Sequence, residues 1–96
     1  MYTRDMAQNT TEQIIESLKR LASTADGKLV VALIEKMNAK LNDDPECEEY
    51  LVEGAQAMDA WGEYAMEAVF AARRRRADQA LHYTRKAVVA RLSFNF

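Results

Sequence analysis

Ninety-six residues with a net charge of −2 and a single cysteine bound the chain to one domain and exclude an intrachain disulfide framework. Hydrophobic residues make up 49%, enough for a core and too many for a disordered chain. Three Gly and one Pro are too few for a turn-rich β-sandwich, and no apolar run approaches the ~20 residues of a membrane span.

Met1 to Asn9 is polar and is expected to be a loose tail. It lacks an apolar stretch, so no secretory signal is expected, and the expected location is cytoplasmic. Asn9 or Thr10 offers a helix N-cap, with Glu12 or Gln13 three residues later completing a capping box in either frame. Ile14, Ile15, Leu18, Leu21, Ala22 and Ala25 then recur at helical spacing. The first helix is expected over about 10–25. Asp26–Gly27 is a turn signal, and Asp26 could also cap the second helix. Val30, Leu33, Ile34, Met37 and Leu41 form a second helical set over about 28–42, and Leu29 and Val31 widen its apolar face.

Asn42-Asp43-Asp44-Pro45 is the clearest punctuation in the chain. Asp44 suits an N-cap, and Pro45 suits the first helical position, where its missing N–H costs nothing. Beyond it there is no further proline, and Gly54 and Gly62 are isolated. The spacing therefore predicts one long helix over about 45–92, continuous or bent, with a short flexible tail over 93–96. A straight helix of ~48 residues would be about 70 Å long. That far exceeds the ~13 Å radius of gyration of a compact domain this size. The expected architecture is all-α: two short amphipathic helices on one long helix, the bundle completed by oligomerisation.

Charge divides the chain unevenly. Residues 1–42 carry six basic and five acidic groups, net +1. Residues 43–67 hold Asp43, Asp44, Glu46, Glu48, Glu49, Glu53, Asp59, Glu63 and Glu67 with no Lys or Arg, net −9. Residues 68–96 hold Arg73, Arg74, Arg75, Arg76, Arg85, Lys86 and Arg91 against Asp78 alone, net +6. Two such helices packed antiparallel would set each basic half against the other's acidic half in an isologous interface. Exposed pairs add only ~0–1 kcal/mol each, so the charges would set register while Met58, Trp61, Val69 and Leu81 supplied most of the energy. Tyr50, Trp61 and Tyr64 share one side of the helical wheel, away from Val52, Met66 and Phe70. Such residue types are enriched in interfaces.

The expected function is a non-enzymatic protein–protein interaction or regulatory module that self-associates. Its expected partner surface is Met58, Trp61, Tyr64, Val69, Leu81 and Arg73 to Arg76. Two alternatives stand beside it. The arginine run with Arg85, Lys86 and Arg91 could contact a phosphate backbone, although no helix-turn-helix, zinc-finger or RNA-recognition pattern accompanies it. The acidic surface of Asp43, Asp44, Glu46, Glu48, Glu49 and Glu53 could mimic a polyanion toward a basic partner. No metal or cofactor is expected. His82 is the only histidine, and although Asp78 lies four residues before it, no Glu-x-x-His pair occurs. No Gly-rich phosphate loop or CxxC is present. Catalytic residues are therefore not assigned, and Cys47 is expected to be a partly buried reduced thiol.

Overall fold

Thr10 starts the first helix. Its hydroxyl accepts a hydrogen bond from the Gln13 amide at 3.1 Å, while the Thr10 amide donates to Gln13 Oε1 at 2.8 Å. This is the capping box in the Thr10 frame. The computed structural model describes residues 10–94; the expected tail over 1–9 and the last two residues lie outside that range. Helix α1 spans Thr11–Leu18 and tightens into a 3₁₀ turn at Lys19–Leu21, ending short of the expected residue 25. The Lys19 ammonium lies 3.1 Å from Glu16 and 3.3 Å from Glu35, tying the end of α1 to the next helix. Hydrogen bonds to Glu16 and then Glu35 hold Lys19 above its ordinary value of 10.5.

Helix α2 spans Ala25–Asp43 and begins before the expected residue 28. The cap is Thr24, whose hydroxyl accepts from the Gly27 amide at 3.0 Å. Asp26 falls in the first turn instead, where the helix dipole favours its charge. At the other end, the chain turns extended at Asp44, whose carboxylate accepts from the Glu46 amide at 3.1 Å. Pro45–Cys47 is a 3₁₀ turn that leads into α3, Glu48–Gln56.

The expected single helix over 45–92 is three helices in the structure. After α3 come α4, Asp59–Arg73, and α5, Ala77–Phe94, so Ser93 and Phe94 of the expected tail continue the helix, with no Gly or Pro to stop it. The first interruption lies at Ala57-Met58, followed by Asp59 at φ 70°. Aspartate tolerates that left-handed region better than most side chains. A Cβ on Gly62 would stand 2.5 Å from the Ala55 carbonyl oxygen and 2.7 Å from the Met58 Cβ, so glycine lets α4 close against the end of α3.

The second interruption falls within the arginine run. The Arg75 amide donates to the Ala72 carbonyl at 2.9 Å, and the Arg76 amide donates to the Ala71 carbonyl at 2.8 Å. With Arg75 at φ 61°, this is a Schellman motif carrying arginine where glycine is usual. Three residues then suffice to reverse the chain, and α4 and α5 form a helical hairpin. Its antiparallel pairing shows in the contacts of Trp61 with Arg91 and of Tyr64 with Tyr83 and Lys86.

Small residues let the hairpin close. Ala65, Ala68, Ala71 and Ala72 on α4, and Ala80 and Ala87 on α5, are fully buried. Between the two alanines of α5 sits buried Thr84, whose hydroxyl donates to the Ala80 carbonyl at 2.7 Å. The hydroxyl is thus satisfied within its own helix. Larger side chains come from the other layer: Ile14, Ile15 and Leu18 of α1, and Val30, Val31, Ile34, Met37 and Leu41 of α2. All five described helices contribute to one buried cluster. The radius of gyration is 13.2 Å and the extents are 48 × 31 × 16 Å, so no 70 Å rod projects from the body.

Arg75→Gly should stabilise the fold by about 0.5–1 kcal/mol, because glycine enters the left-handed region without the Cβ penalty. A higher midpoint in urea with an unchanged slope is the expected reading. An equal or lower midpoint would show that the turn is not strained at this residue.

Candidate functional site

Helices α2 and α3 leave the Pro45 turn on either side of an open groove of about 480 Å³. Its apolar lining comes from Leu33 and Met37 of α2, Tyr50 and Leu51 of α3, and Met58 beyond it. The α3 side is open at Gly54, where a Cβ would meet nothing within 4 Å. Lys36 and Lys40 stand on the α2 wall and Glu53 on the α3 wall. Among the described residues none of these three charges is in an ion pair. Tyr50 is 76% exposed, although its ring is the largest apolar body at the groove. One turn before Leu33, Leu29 is 48% exposed and extends the apolar line along α2. A continuous apolar strip rimmed by unpaired charge has the composition of a protein-docking surface.

The expected partner surface is dispersed by the fold. Val69 is fully buried in the chain's own core, and Leu81 is packed against it. Trp61 is half-buried under Arg91, whose guanidinium carbon stands 4.9 Å from the ring centroid. Tyr64 stacks on Tyr83 at 6.4 Å with an interplanar angle of 23°, and the Lys86 ammonium lies 5.3 Å from its centroid. Both rings expected at an interface with a copy are thus used inside the α4–α5 hairpin. The shared wheel face of Tyr50, Trp61 and Tyr64 assumed one helix, and the break at Ala57-Met58 separates Tyr50 from the other two. Of the expected set, Met58 alone lines the groove.

The arginines also part company. Arg73 Nη1 donates to Asn38 Oδ1 at 2.7 Å and to Asn42 Oδ1 at 2.9 Å, clamping the end of α4 onto α2. Asn38 is buried, so this bond satisfies an oxygen that water does not reach freely. Arg74, Arg75 and Arg76 are exposed on the turn, and among the described residues none of them is in an ion pair. Arg73 and Arg74 share a shallow hollow with Glu48 and Phe70. Carboxylate pairing is found instead at Arg91, whose Nε donates to Asp26 at 3.1 Å with both side chains largely covered.

The acidic residues Asp43, Asp44, Glu46, Glu48, Glu49 and Glu53 are all exposed around the Pro45 turn and α3. Among the described residues no group of three or more His, Cys, Asp or Glu is placed to hold a metal ion, and no helix is long and apolar enough to cross a membrane. Cys47 is a free, half-buried thiol directed at the Lys40 carbonyl, 3.7 Å away. His82 is exposed and meets the Tyr83 ring edge-on at 5.2 Å.

Sequence reasoning passed over Leu29, Leu33, Lys36 and Lys40 as site residues. A signal was present: Leu29 and Val31 made the apolar face of α2 wider than one neighbour requires. No protein-family model matches the chain, and no curated protein or solved structure is similar to it.

Arg73→Ala should destabilise the fold by about 1–3 kcal/mol by stranding the buried Asn38 oxygen. Arg74→Ala, on the exposed turn, should stay within about 0.5 kcal/mol of the parent chain. Chemical denaturation of the two variants checks the contrast, and equal losses would contradict the clamp.

Proposed function

We propose that the protein is a non-enzymatic, self-associating helical interaction module whose docking surface is the α2–α3 groove. The supporting observation is Tyr50, an aromatic ring 76% exposed beside an apolar groove whose rim charges lack intrachain partners among the described residues. Tyr side chains that become buried on association are frequent energetic centres of protein interfaces. The sequence pattern places self-association on an extended charge-segregated helix. Here the basic α5 folds back beside α4 of its own chain, and the groove with Tyr50 and Leu29 is one of two exposed apolar surfaces, the other being Val89 and Leu92 on α5. A cytoplasmic location and a regulatory role belong to the same reading.

Light scattering over a concentration series should show a dimeric mass that falls to the monomer on dilution. Tyr50→Glu should weaken the dimer by roughly tenfold or more without changing the fold, since the side chain is outside the core. A monomeric parent chain at every concentration would remove this reading.

A second reading rests on Arg74, Arg75 and Arg76, three exposed cations on a sharp turn with no ion pair among the described residues. Such a knuckle, with exposed Arg85 and Lys86 on α5, supports contact with a nucleic-acid backbone. Its prediction is binding to generic duplex DNA that falls steeply with salt and is lost in Arg74→Ala/Arg76→Ala. No binding at low salt would exclude it.

A further inference from the structure

The two walls of the groove carry opposite charge. Lys36 and Lys40 are on α2, and Glu53 is on α3 with Glu49 exposed one turn before it. Pro45 lies at the turn from which both walls diverge. Lys36 is nine residues before Pro45 and Glu53 eight after it; Lys40 is five before and Glu49 four after. In sequence distance from the turn, Lys36 on one wall is thus matched by Glu53 on the other, and Lys40 by Glu49, which is exposed on α3 outside the groove lining. Among the described residues no pair closes across the groove within the chain.

Resting on the self-association reading, we infer that the groove receives a second copy of itself about a two-fold axis running along the groove. Rotation about that axis keeps height and exchanges left for right. It places the α2 wall of one protomer over the α3 wall of its partner, so that Lys36 meets the partner's Glu53 and Lys40 meets the partner's Glu49, twice each. Rotation about an axis across the groove would set lysines against lysines and glutamates against glutamates. The charge pattern thus selects one of the two isologous arrangements. In both, the apolar strip of Leu33, Leu51, Tyr50 and Met58 meets its own copy. Burial of that strip drives association, and the rim charges fix the orientation.

A charge exchange tests this. In a homodimer of Lys36→Glu chains, two carboxylates would face each other at both symmetric sites. In a homodimer of Glu53→Lys chains, two ammonium groups would do so. Each variant alone should lose roughly tenfold in self-association at low salt, because two weak pairs become repulsive. In an equimolar mixture the heterodimer sets the two introduced charges against each other at one site and native Lys36 against native Glu53 at the other, both pairs opposite in sign, and it should associate better than either component. The double variant Lys36→Glu/Glu53→Lys restores opposite charges at both sites and should recover the parent affinity. Sedimentation equilibrium reads the masses, and circular dichroism checks that every chain is folded. A double variant that associates no better than the single variants overturns the two-fold charge pairing. If the parent chain still dimerises and Tyr50→Glu breaks the dimer, the groove reading survives that result. A parent chain that stays monomeric at every concentration overturns both and leaves the groove to a different protein.

Discussion

The chain reversal at Arg74–Arg76 sets the position of everything C-terminal to it. Two crossed hydrogen bonds, from the Arg75 and Arg76 amides to the Ala72 and Ala71 carbonyls, end α4 and aim α5 back along it. Arg75 holds a left-handed conformation for this, at a cost of about 1 kcal/mol for a side chain with a Cβ. The cost is met by tertiary packing. Alanines on both helices, with Thr84 between those of α5, leave room for the two backbones to approach and bury the seam completely. Arg73, one residue before the cap, is held by two asparagines of α2 and fixes where the reversal occurs.

The reversal also redistributes charge. In sequence, an acidic segment precedes a basic one. In space, α5 lies beside α4, so Lys86 and Arg91 cover the Tyr64 and Trp61 faces, and Arg91 reaches Asp26 at the start of α2. The field that would have opposed two copies end to end is partly neutralised within one chain. Charges without intrachain pairs among the described residues include Arg74 to Arg76 on the turn and Lys36, Lys40 and Glu53 around the α2–α3 groove. Only the second set borders a substantial apolar surface. Charge beside exposed apolar area carries both the energy and the orientation of a docking event, whereas the arginine turn offers orientation alone.

The local signals were readable because local chemistry causes them. The Thr10 capping box depends on residues three apart, and the Pro45 start depends on Asp44 accepting an amide bond and proline lacking one. The apolar sets of α1 and α2 repeat at the spacing that one buried face requires, and Ile14, Leu18, Val30, Ile34 and Leu41 are in the core. The helical assignment of almost every residue from 48 to 92 was equally legible, since both interruptions are two or three residues long and contain no proline, whereas Ser93 and Phe94, expected in a tail, are helical. The positions of the interruptions were not legible. Asp59 and Arg75 adopt left-handed backbone that neither side chain demands, and Gly62 matters because of what lies against it.

By itself the sequence determined an all-helical chain, the starts of its helices at Thr10 and Pro45, and the segregation of charge along residues 43–96. Those properties come from propensity, capping and periodicity, which act over a few residues. The tertiary structure decided that residues 45–94 make three helices instead of one. It also decided that Val69, Trp61 and Tyr64 are used within the chain and that Tyr50 stands beside an open groove. The physical reason is that a short left-handed turn costs about 1 kcal/mol locally. Closing a long seam of small side chains recovers more than that, and no local window of sequence contains both sides of the seam.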